Sequence, residues 1–264
     1  MRGYAAAGLG LLLVGGAAQA ADDDAPKRDL LVTVGLGAQV TPKYPGADSV
    51  ELGPLPGISI RHVGDPVNFA AADQGSSIGL LGSKSHVNFG PVIRLQGKRK
   101  QKDVGAPVDP VGFTVEAGGF FQAWLTKGLR FRAEARKGLG GHKGWVGQVG
   151  IDAVFRDDDR TIFAIGPRVY ASNARYQRAY FGVSPAAAVR TGLPIYTPGG
   201  GFHGVGAISS FIHQFSPTWG VAGYVGYQRL TRNAGNSPLV RAFGSRDQFS
   251  GGLALTYTFT LHRH

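Results

Sequence analysis

The chain lacks cysteine altogether and has one methionine among its 264 residues. Without cysteine, a disulfide framework and a Cys/His zinc site are both excluded. Long apolar runs are also missing beyond the N-terminus, and the mean hydropathy is only −0.05. A bundle of transmembrane helices is therefore disfavoured, because each helix would need ~20 mainly apolar residues.

Glycine and aromatic residues are abundant: the chain has 42 Gly, 15 Phe and 9 Tyr. Glycine costs about 1 kcal/mol in a helix interior, so this composition disfavours long helices. The glycines follow no three-residue period, which excludes collagen. A hydrophobic fraction of 43% argues against disorder. A β-rich protein is the class that remains.

Residues 1–20 have the features of a secretory signal peptide. Arg2 supplies a positive charge, Ala5–Ala18 is apolar, and Ala18-Gln19-Ala20 is an A-x-A cleavage signal. No cysteine follows the cleavage point, so a lipid anchor is excluded. We therefore expect cleavage near Ala20 and a single domain over residues 21–264 that works outside the cytoplasm.

The mature chain alternates between apolar and polar residues with period two, most clearly from Gly128 to Lys137. One face of that segment carries Leu129, Phe131, Ala133 and Ala135. The other face carries Arg130, Arg132, Glu134 and Arg136. Such runs exceed the ~5–6 residues of a globular strand and match the ~9–11 residues of a membrane-spanning strand. The pattern predicts strands whose apolar face meets lipid and whose polar face lines a lumen.

Connections between the candidate strands also indicate a barrel. Tight turns near 125–128, 157–159 and 216–218 alternate with long segments at 99–110, 172–200 and 231–245. Outer-membrane barrels have short periplasmic turns and long outer loops. We predict an all-β fold, a transmembrane antiparallel β-barrel of about 12 strands. Val67–Ala72 and Ser76–Leu81 are the weakest strands, and about 10 strands remain if both form a loop.

Eight charged residues fall on the polar phase of successive candidate strands and form a predicted lumen network. They are Arg94, Glu116, Arg130, Arg132, Glu134, Arg136, Asp152 and Arg168. Neighbouring strands lie ~4.8 Å apart, so long Arg side chains reach acids one or two strands away. A structural network is the favoured interpretation, because unpaired charge in a narrow bore is costly. Anion selectivity from the surplus of Arg is the alternative, and acid/base catalysis is the least supported.

Motifs of catalysis are missing from the sequence, which contains no HExxH and no GxSxG elbow. We therefore predict a protein that is not an enzyme, with no catalytic, metal-binding or cofactor-binding residue and no cofactor. The formal net charge is +11, but a secreted barrel is not expected to bind nucleic acid. The basic cluster of Lys98, Arg99, Lys100 and Lys102 instead suits lipopolysaccharide phosphates, with a solvated loop as the alternative.

Three short motifs lie in connections between candidate strands: Tyr44-Pro45-Gly46, Gly141-His142-Lys143-Gly144 and Tyr180-Phe181-Gly182-Val183. The first has the residues of a turn, because Pro fixes φ and Gly accepts a positive φ. The second forms the tip of a hairpin, where Lys143 is a candidate for contact with a lipopolysaccharide phosphate. The third lies in the longest loop, and we expect it to fold that loop inward or over the barrel mouth.

Together with Pro54-Leu55-Pro56 and Ser237-Pro238, these motifs give a chain that resembles the MipA/OmpV family of outer-membrane proteins. The resemblance covers essentially the whole mature chain and implies a barrel in the outer membrane of a Gram-negative cell, in contact with lipid and lipopolysaccharide. It also implies a non-enzymatic scaffold that holds a murein lytic transglycosylase and a murein polymerase together. A small-solute, anion-leaning channel is the alternative function, and an adhesin is a more remote one.

Overall fold

The computed structural model describes residues 12–14, 29–82 and 85–262. The predicted signal peptide, residues 1–20, lies outside this range except for Leu12–Val14. Cleavage near Ala20 therefore stays a prediction.

Within the described residues, twelve strands form one sheet. They are β1 (Leu12–Val14), β2 (Leu30–Pro42), β3 (Val50–His62), β4 (Ser76–Ser77), β5 (Val87–Gln96), β6 (Thr114–Thr126), β7 (Leu129–Gly140), β8 (Trp145–Asp157), β9 (Thr161–Ser172), β10 (Gly201–Gln214), β11 (Trp219–Leu230) and β12 (Asp247–Leu261). Their order across the sheet is β1-β3-β2-β12-β11-β10-β9-β8-β7-β6-β5-β4. β1 pairs with β3 in parallel, and every other pairing is antiparallel.

The eleven antiparallel strands curl around a common interior, and the pairing of β12 with β2 joins the last strand to the first long one. The prediction of an all-β antiparallel membrane barrel is thus confirmed as a fold class. Ten of the strands are long, from 10 to 15 residues. The alternative count of about ten membrane-length strands describes the sheet better than twelve.

The two candidate strands that do not reach membrane length both lie in the connection between β3 and β5. Val67–Ala72 forms no strand, and Ser76–Leu81 contributes only the two residues of β4. Beyond β4, the amides of Ile78 and Leu80 still donate to the carbonyls of Pro91 and Phe89, at 3.2 and 2.9 Å. The segment therefore extends the edge of β5 without making a complete strand.

Residues 63–75, here called the plug, run inside the barrel. Phe69 and Ala71 of the plug pack in an apolar cluster with Ile162, Ile208 and Ala254 of the wall. The plug enters from the end of the barrel where the short turns lie. The plug divides the interior. The connection between β3 and β5, which interrupts the series of long strands, therefore fills part of the barrel.

The predicted faces of β7 match their environments. The four residues predicted for the lumen face, Arg130, Arg132, Glu134 and Arg136, are at most 5% exposed. Phe131, in contrast, packs against Phe121 on the outer surface with ring centroids 6.4 Å apart. A period of two on a curled sheet places one set of side chains inside and the other in lipid.

We expect Phe131→Arg to lower the free energy of unfolding by about 2–4 kcal/mol, since it places a cation on the lipid face. Urea unfolding of the barrel reconstituted in lipid measures this loss, with Phe131→Leu as the apolar control. Depth-dependent quenching that located position 131 in water would contradict the assignment of faces.

The long connections carry five short helices, all at the end opposite the short turns. These are α1 (Gln101–Val104), α2 (Ala174–Phe181), α3 (Pro185–Thr191), α4 (Arg232–Gly235) and α5 (Pro238–Phe243). None of these five helices, which are all that the described residues contain, has the length and apolar character of a membrane span.

Candidate functional site

The barrel interior contains two linked groups of buried ion pairs, both on the wall formed by β5 to β9. In the first group, Arg132 Nε donates to Glu134 Oε1 at 2.9 Å. Glu134 also pairs with Arg136, whose Nε donates to Glu116 Oε2 at 2.9 Å. The four side chains are at most 5% exposed. Alternating charges thus form a continuous chain along the wall.

The second group surrounds Asp152. Arg130 Nη2 and Arg168 Nη2 approach its two carboxylate oxygens at 2.7 and 2.6 Å. Arg168 Nε also donates to Asp73 Oδ2 at 2.7 Å. Arg94 Nη1 donates to the Asp73 carbonyl at 3.0 Å. The structure therefore brings all eight residues of the predicted network to the interior, with Arg94 joined to it through the plug.

Asp73 is the residue that sequence reasoning missed. It lies in the plug, outside any alternating strand, so no period marks it as facing the lumen. With Asp73 included, five arginines face four carboxylates, and the Arg surplus is one rather than two. A smaller surplus of positive charge gives weaker support to an anion-selective lumen.

The arginines also bind the backbone of the plug. Arg130 Nη1 donates to the Phe69 carbonyl at 2.9 Å, and Arg156 Nη1 donates to the Val67 carbonyl at 2.8 Å. In the other direction, the Val67 amide donates to Asp159 at 2.9 Å. Because the plug has no neighbouring strand at this point, wall side chains satisfy its backbone groups.

The Gly-His-Lys-Gly motif does not simply form an exposed hairpin tip. His142 points inward, is 2% exposed, and its Nε2 lies 3.2 Å from Glu116 Oε1. Its Nδ1 accepts from the Gly144 amide at 3.0 Å, while Lys143 stays exposed with a φ of 49°. A Cβ at Gly138 would lie 2.3 Å from the imidazole, so that position has no space for a side chain. Through the contact between His142 and Glu116, the motif therefore joins the hairpin to the lumen network.

The long connections 97–113, 173–200 and 231–246 pack together over one end of the barrel and are here called the lid. Tyr180 and Phe181 are fully buried in it. Both residues belong to helix α2 within the predicted longest loop, and Gly182 caps that helix in an extended conformation. Tyr44 begins the predicted turn, which the Ala47 amide closes onto the Tyr44 carbonyl at 3.0 Å.

That turn requires glycine and is fixed to the lid. Gly46 has a φ of 95°, and its carbonyl accepts from the Ser245 amide of the lid at 3.1 Å. Pro45 is half-buried beside it. A positive φ strains any residue with a Cβ, so this position favours glycine.

Arg99 lies at the centre of the lid rather than in the solvated basic cluster predicted for it. The side chain is 2% exposed and donates to the carbonyls of Tyr180 and Asp109, each at 2.7 Å. Its guanidinium also lies 5.9 Å from the ring centroids of Tyr44 and Tyr180. Burial lowers the pKa of Arg99 and raises the pKa of Tyr44 to about 12. Lys98 and Lys102 remain exposed at the rim.

Two cavities lie between the plug and the opposite wall of β2, β3 and β10 to β12. The lower cavity, toward the short turns, has a volume of about 440 Å³ and a mainly apolar lining that includes Phe69, Ile162 and Ala254. The upper cavity, below the lid, has about 230 Å³ and a mixed polar and apolar lining that includes Arg94, Glu116 and Phe181. Ala72 and Tyr224 line both cavities. The lower cavity is thus the more apolar of the two.

Across residues 12–14, 29–82 and 85–262, no three His, Asp or Glu side chains are grouped in a way that would hold a metal ion. The carboxylates of Glu116, Glu134 and Asp152 are each paired with arginine.

Comparison with known proteins identifies the family. A family model described as "MltA-interacting protein MipA" matches residues 34–259. No curated protein matches the sequence.

Several solved outer-membrane proteins are similar to this chain at low sequence identity and with low TM-scores. An outer-membrane channel from Pseudomonas putida F1 is 9% identical, with a TM-score of 0.42 over 91% of this chain and 100% of the other. The outer membrane protein OprG from Pseudomonas aeruginosa is 10% identical, with a TM-score of 0.26 over 88% and 97%. A deletion mutant of the TodX monoaromatic hydrocarbon channel is 9% identical, with a TM-score of 0.32 over 89% and 91%.

Proposed function

This chain belongs to the MipA family, and on that premise we propose that it is a non-enzymatic scaffold of the outer membrane that binds a murein lytic transglycosylase. The family description names such an interaction, because MltA-interacting is part of it. A murein polymerase is the second proposed partner. Both partners act on murein, so they would meet the barrel at its periplasmic, short-turn end.

The observation that carries this proposal is that the plug occupies the interior and is hydrogen-bonded to the wall. The plug is bound to the wall through Arg130, Arg156 and Arg168, and the lid covers the opposite end with Tyr180 and Phe181 fully buried. A pore needs an unobstructed route, whereas a docking platform benefits from a rigid body whose rim keeps one shape. The short-turn rim exposes Asp157 and Asp158 to the periplasm in this orientation.

A binding measurement tests the proposal. With the barrel in lipid nanodiscs, we expect a purified murein lytic transglycosylase to bind, and Asp157→Lys with Asp158→Lys to weaken that binding. Lys143→Glu, at the lid end, is the matched charge reversal and should leave binding unchanged. Loss of binding from the lid-end change alone, or no binding to the parent, would refute the docking face.

A small-solute channel is the second candidate, because cavities lie on the path through the interior and one Arg remains in excess of the acids. Single-channel recording in planar bilayers separates the two functions. The scaffold proposal expects no ion conductance from the parent protein, and steady conductance would favour the channel.

Lipopolysaccharide contact is proposed for the lid end. Lys98, Lys102 and Lys143 are exposed there, where the phosphates of the outer leaflet would lie. In the same orientation the lid would face away from the cell. That exposure alone does not favour an adhesin role, because any exposed loop of a barrel has it.

A further inference from the structure

The lower cavity contains polar atoms that the protein itself does not satisfy. Ser210 Oγ, Gln214 Oε1 and Thr256 Oγ1 are buried and have no hydrogen-bond partner among the described residues. All three side chains line this one cavity. Ser210 and Thr256 are each 8% exposed. Buried polar groups without a partner are uncommon in native proteins, because burial removes them from water without replacing its hydrogen bonds.

These three groups follow one wall of the cavity in a defined order. Gln214 and Thr256 both flank Gly220 in the register of the sheet, and a Cβ at Gly220 would lie 2.5 Å from Gln214 Oε1. Ser210 lies four residues from Gln214 on the same face of β10, a distance of roughly 13 Å at ~3.3 Å per residue. The wall therefore offers one polar position near the cavity mouth and a second one deeper inside.

The surface facing this polar wall is apolar. It consists of the plug residues Val67, Phe69 and Ala72, together with Ile162 of the wall, which is 1% exposed. A volume of about 440 Å³ falls within the ~300–1,000 Å³ of small-molecule sites. An extended apolar chain suits the space between the two surfaces, because its burial there removes apolar area from water.

The mouth of the lower cavity is positively charged. Arg61, Asp159 and Arg160 line it. Arg61 pairs with Asp159 at 3.4 Å, and Asp159 also accepts from the plug. Arg160 is exposed beside them. Two cations against one acid favour an anionic group at the mouth.

We propose that the lower cavity binds an amphiphilic carboxylate with an extended apolar chain and a second hydrogen-bonding group toward its far end. The carboxylate lies at the mouth beside Arg160 and Thr256. The chain runs along Phe69 and Ala72, and the distal hydroxyl meets Ser210. The mouth of this site borders the turn that carries the proposed docking residues Asp157 and Asp158, but occupancy of the cavity does not depend on scaffold function.

Competition with a photoreactive fatty acid tests the site. The protein is held in lipid nanodiscs and labelled with decanoate that carries a diazirine at its chain end, and empty nanodiscs measure the background. We expect saturable labelling of plug residues 67–72, displaced by decanoate but about tenfold less well by decanol, because decanol lacks the charge. Non-saturable labelling, or equal displacement by decanol, would overturn the proposal.

The distal polar position has its own test. 10-Hydroxydecanoate should displace the probe about fivefold better than decanoate does, the effect of one net hydrogen bond. Ser210→Ala should abolish that difference, while Ser209→Ala, the neighbouring residue on the lipid-facing side, should keep it. If both variants or neither retain the preference, Ser210 does not bind the ligand.

Filling the cavity provides a third, independent readout. Ala222→Trp projects into the lower cavity, and Ala135→Trp adds the same side chain to the lipid face of β7. We expect at least a tenfold loss of saturable labelling from the first and none from the second. If Ala222→Trp does not assemble, Ala222→Phe takes its place, since it fills the same part of the cavity with a smaller ring. Labelling equal to the parent protein in the assembled variant would rule out the cavity as the site.

Discussion

Replacing Glu134 by alanine is expected to lower the free energy of unfolding of the barrel by about 3–5 kcal/mol. Glu134 is the acid that joins Arg132 and Arg136, and its side chain is completely buried. Without it, Arg132 keeps only the amide of Gln122 at 2.9 Å, the hydroxyl of Ser77 at 3.0 Å and a contact with the Phe120 ring. A buried cation that loses its carboxylate is strongly destabilising, because water does not replace the lost partner.

Urea unfolding in lipid, followed by tryptophan fluorescence, measures this effect. Asp247→Ala is the matched control, because the Arg229–Asp247 pair has a similar 2.7 Å separation but side chains that are 50% and 39% exposed. An exposed pair contributes about 0–1 kcal/mol. Equal losses in the two variants would mean that the lumen charges are hydrated and that the network is not a structural element.

The strand faces follow from the sequence because they depend on a local rule. Each residue of β7 alternates between lipid and lumen, and four charged residues on one face leave a single acceptable orientation for that strand in a membrane. Glu134 and its arginine partners could therefore be placed in the lumen from their spacing alone. The same rule indicated the length of the strands, while the positions of tight turns separately indicated the alternation of short and long connections.

The plug could not be placed in this way. Val67–Ala72 alternates weakly, like a short strand, but its backbone groups bind arginine and aspartate side chains from β7 and β8 and from the turn at Asp159. Those partners lie 61 to 92 residues away in sequence. Alternation of neighbouring residues carries no information about contacts so distant in sequence. Asp73 was therefore not included in the predicted network.

Arg99 illustrates a second limit of local patterns. It stands among lysines in a basic run, which ordinarily indicates a solvated segment. Its side chain turns inward because two carbonyls converge on it, including that of Tyr180, which is 81 residues distant. A planar guanidinium can donate to both at once, whereas the neighbouring lysines keep their charges in water.

Replacing Arg99 by alanine is accordingly expected to loosen the lid while the strands remain assembled. Two hydrogen bonds from a charged donor contribute about 1.5–3 kcal/mol each. We expect the free energy of lid opening to fall by about 3 kcal/mol, which is roughly a hundredfold increase in the open population. Hydrogen exchange and limited proteolysis of segments 97–113 and 173–200 measure that opening directly.

Arg190→Ala is the control for this prediction, because Arg190 lies in the same lid and also binds Asp109. Its ion pair with Asp109, at 2.8 Å, is exposed, with side chains 40% and 50% accessible. An exposed pair is worth at most about 1 kcal/mol, so its removal should change lid opening by less than tenfold. If Arg99→Ala protects the lid as well as the parent protein does, packing of Tyr180 and Phe181 alone holds the lid closed. The buried guanidinium would then fill space between the loops without joining them.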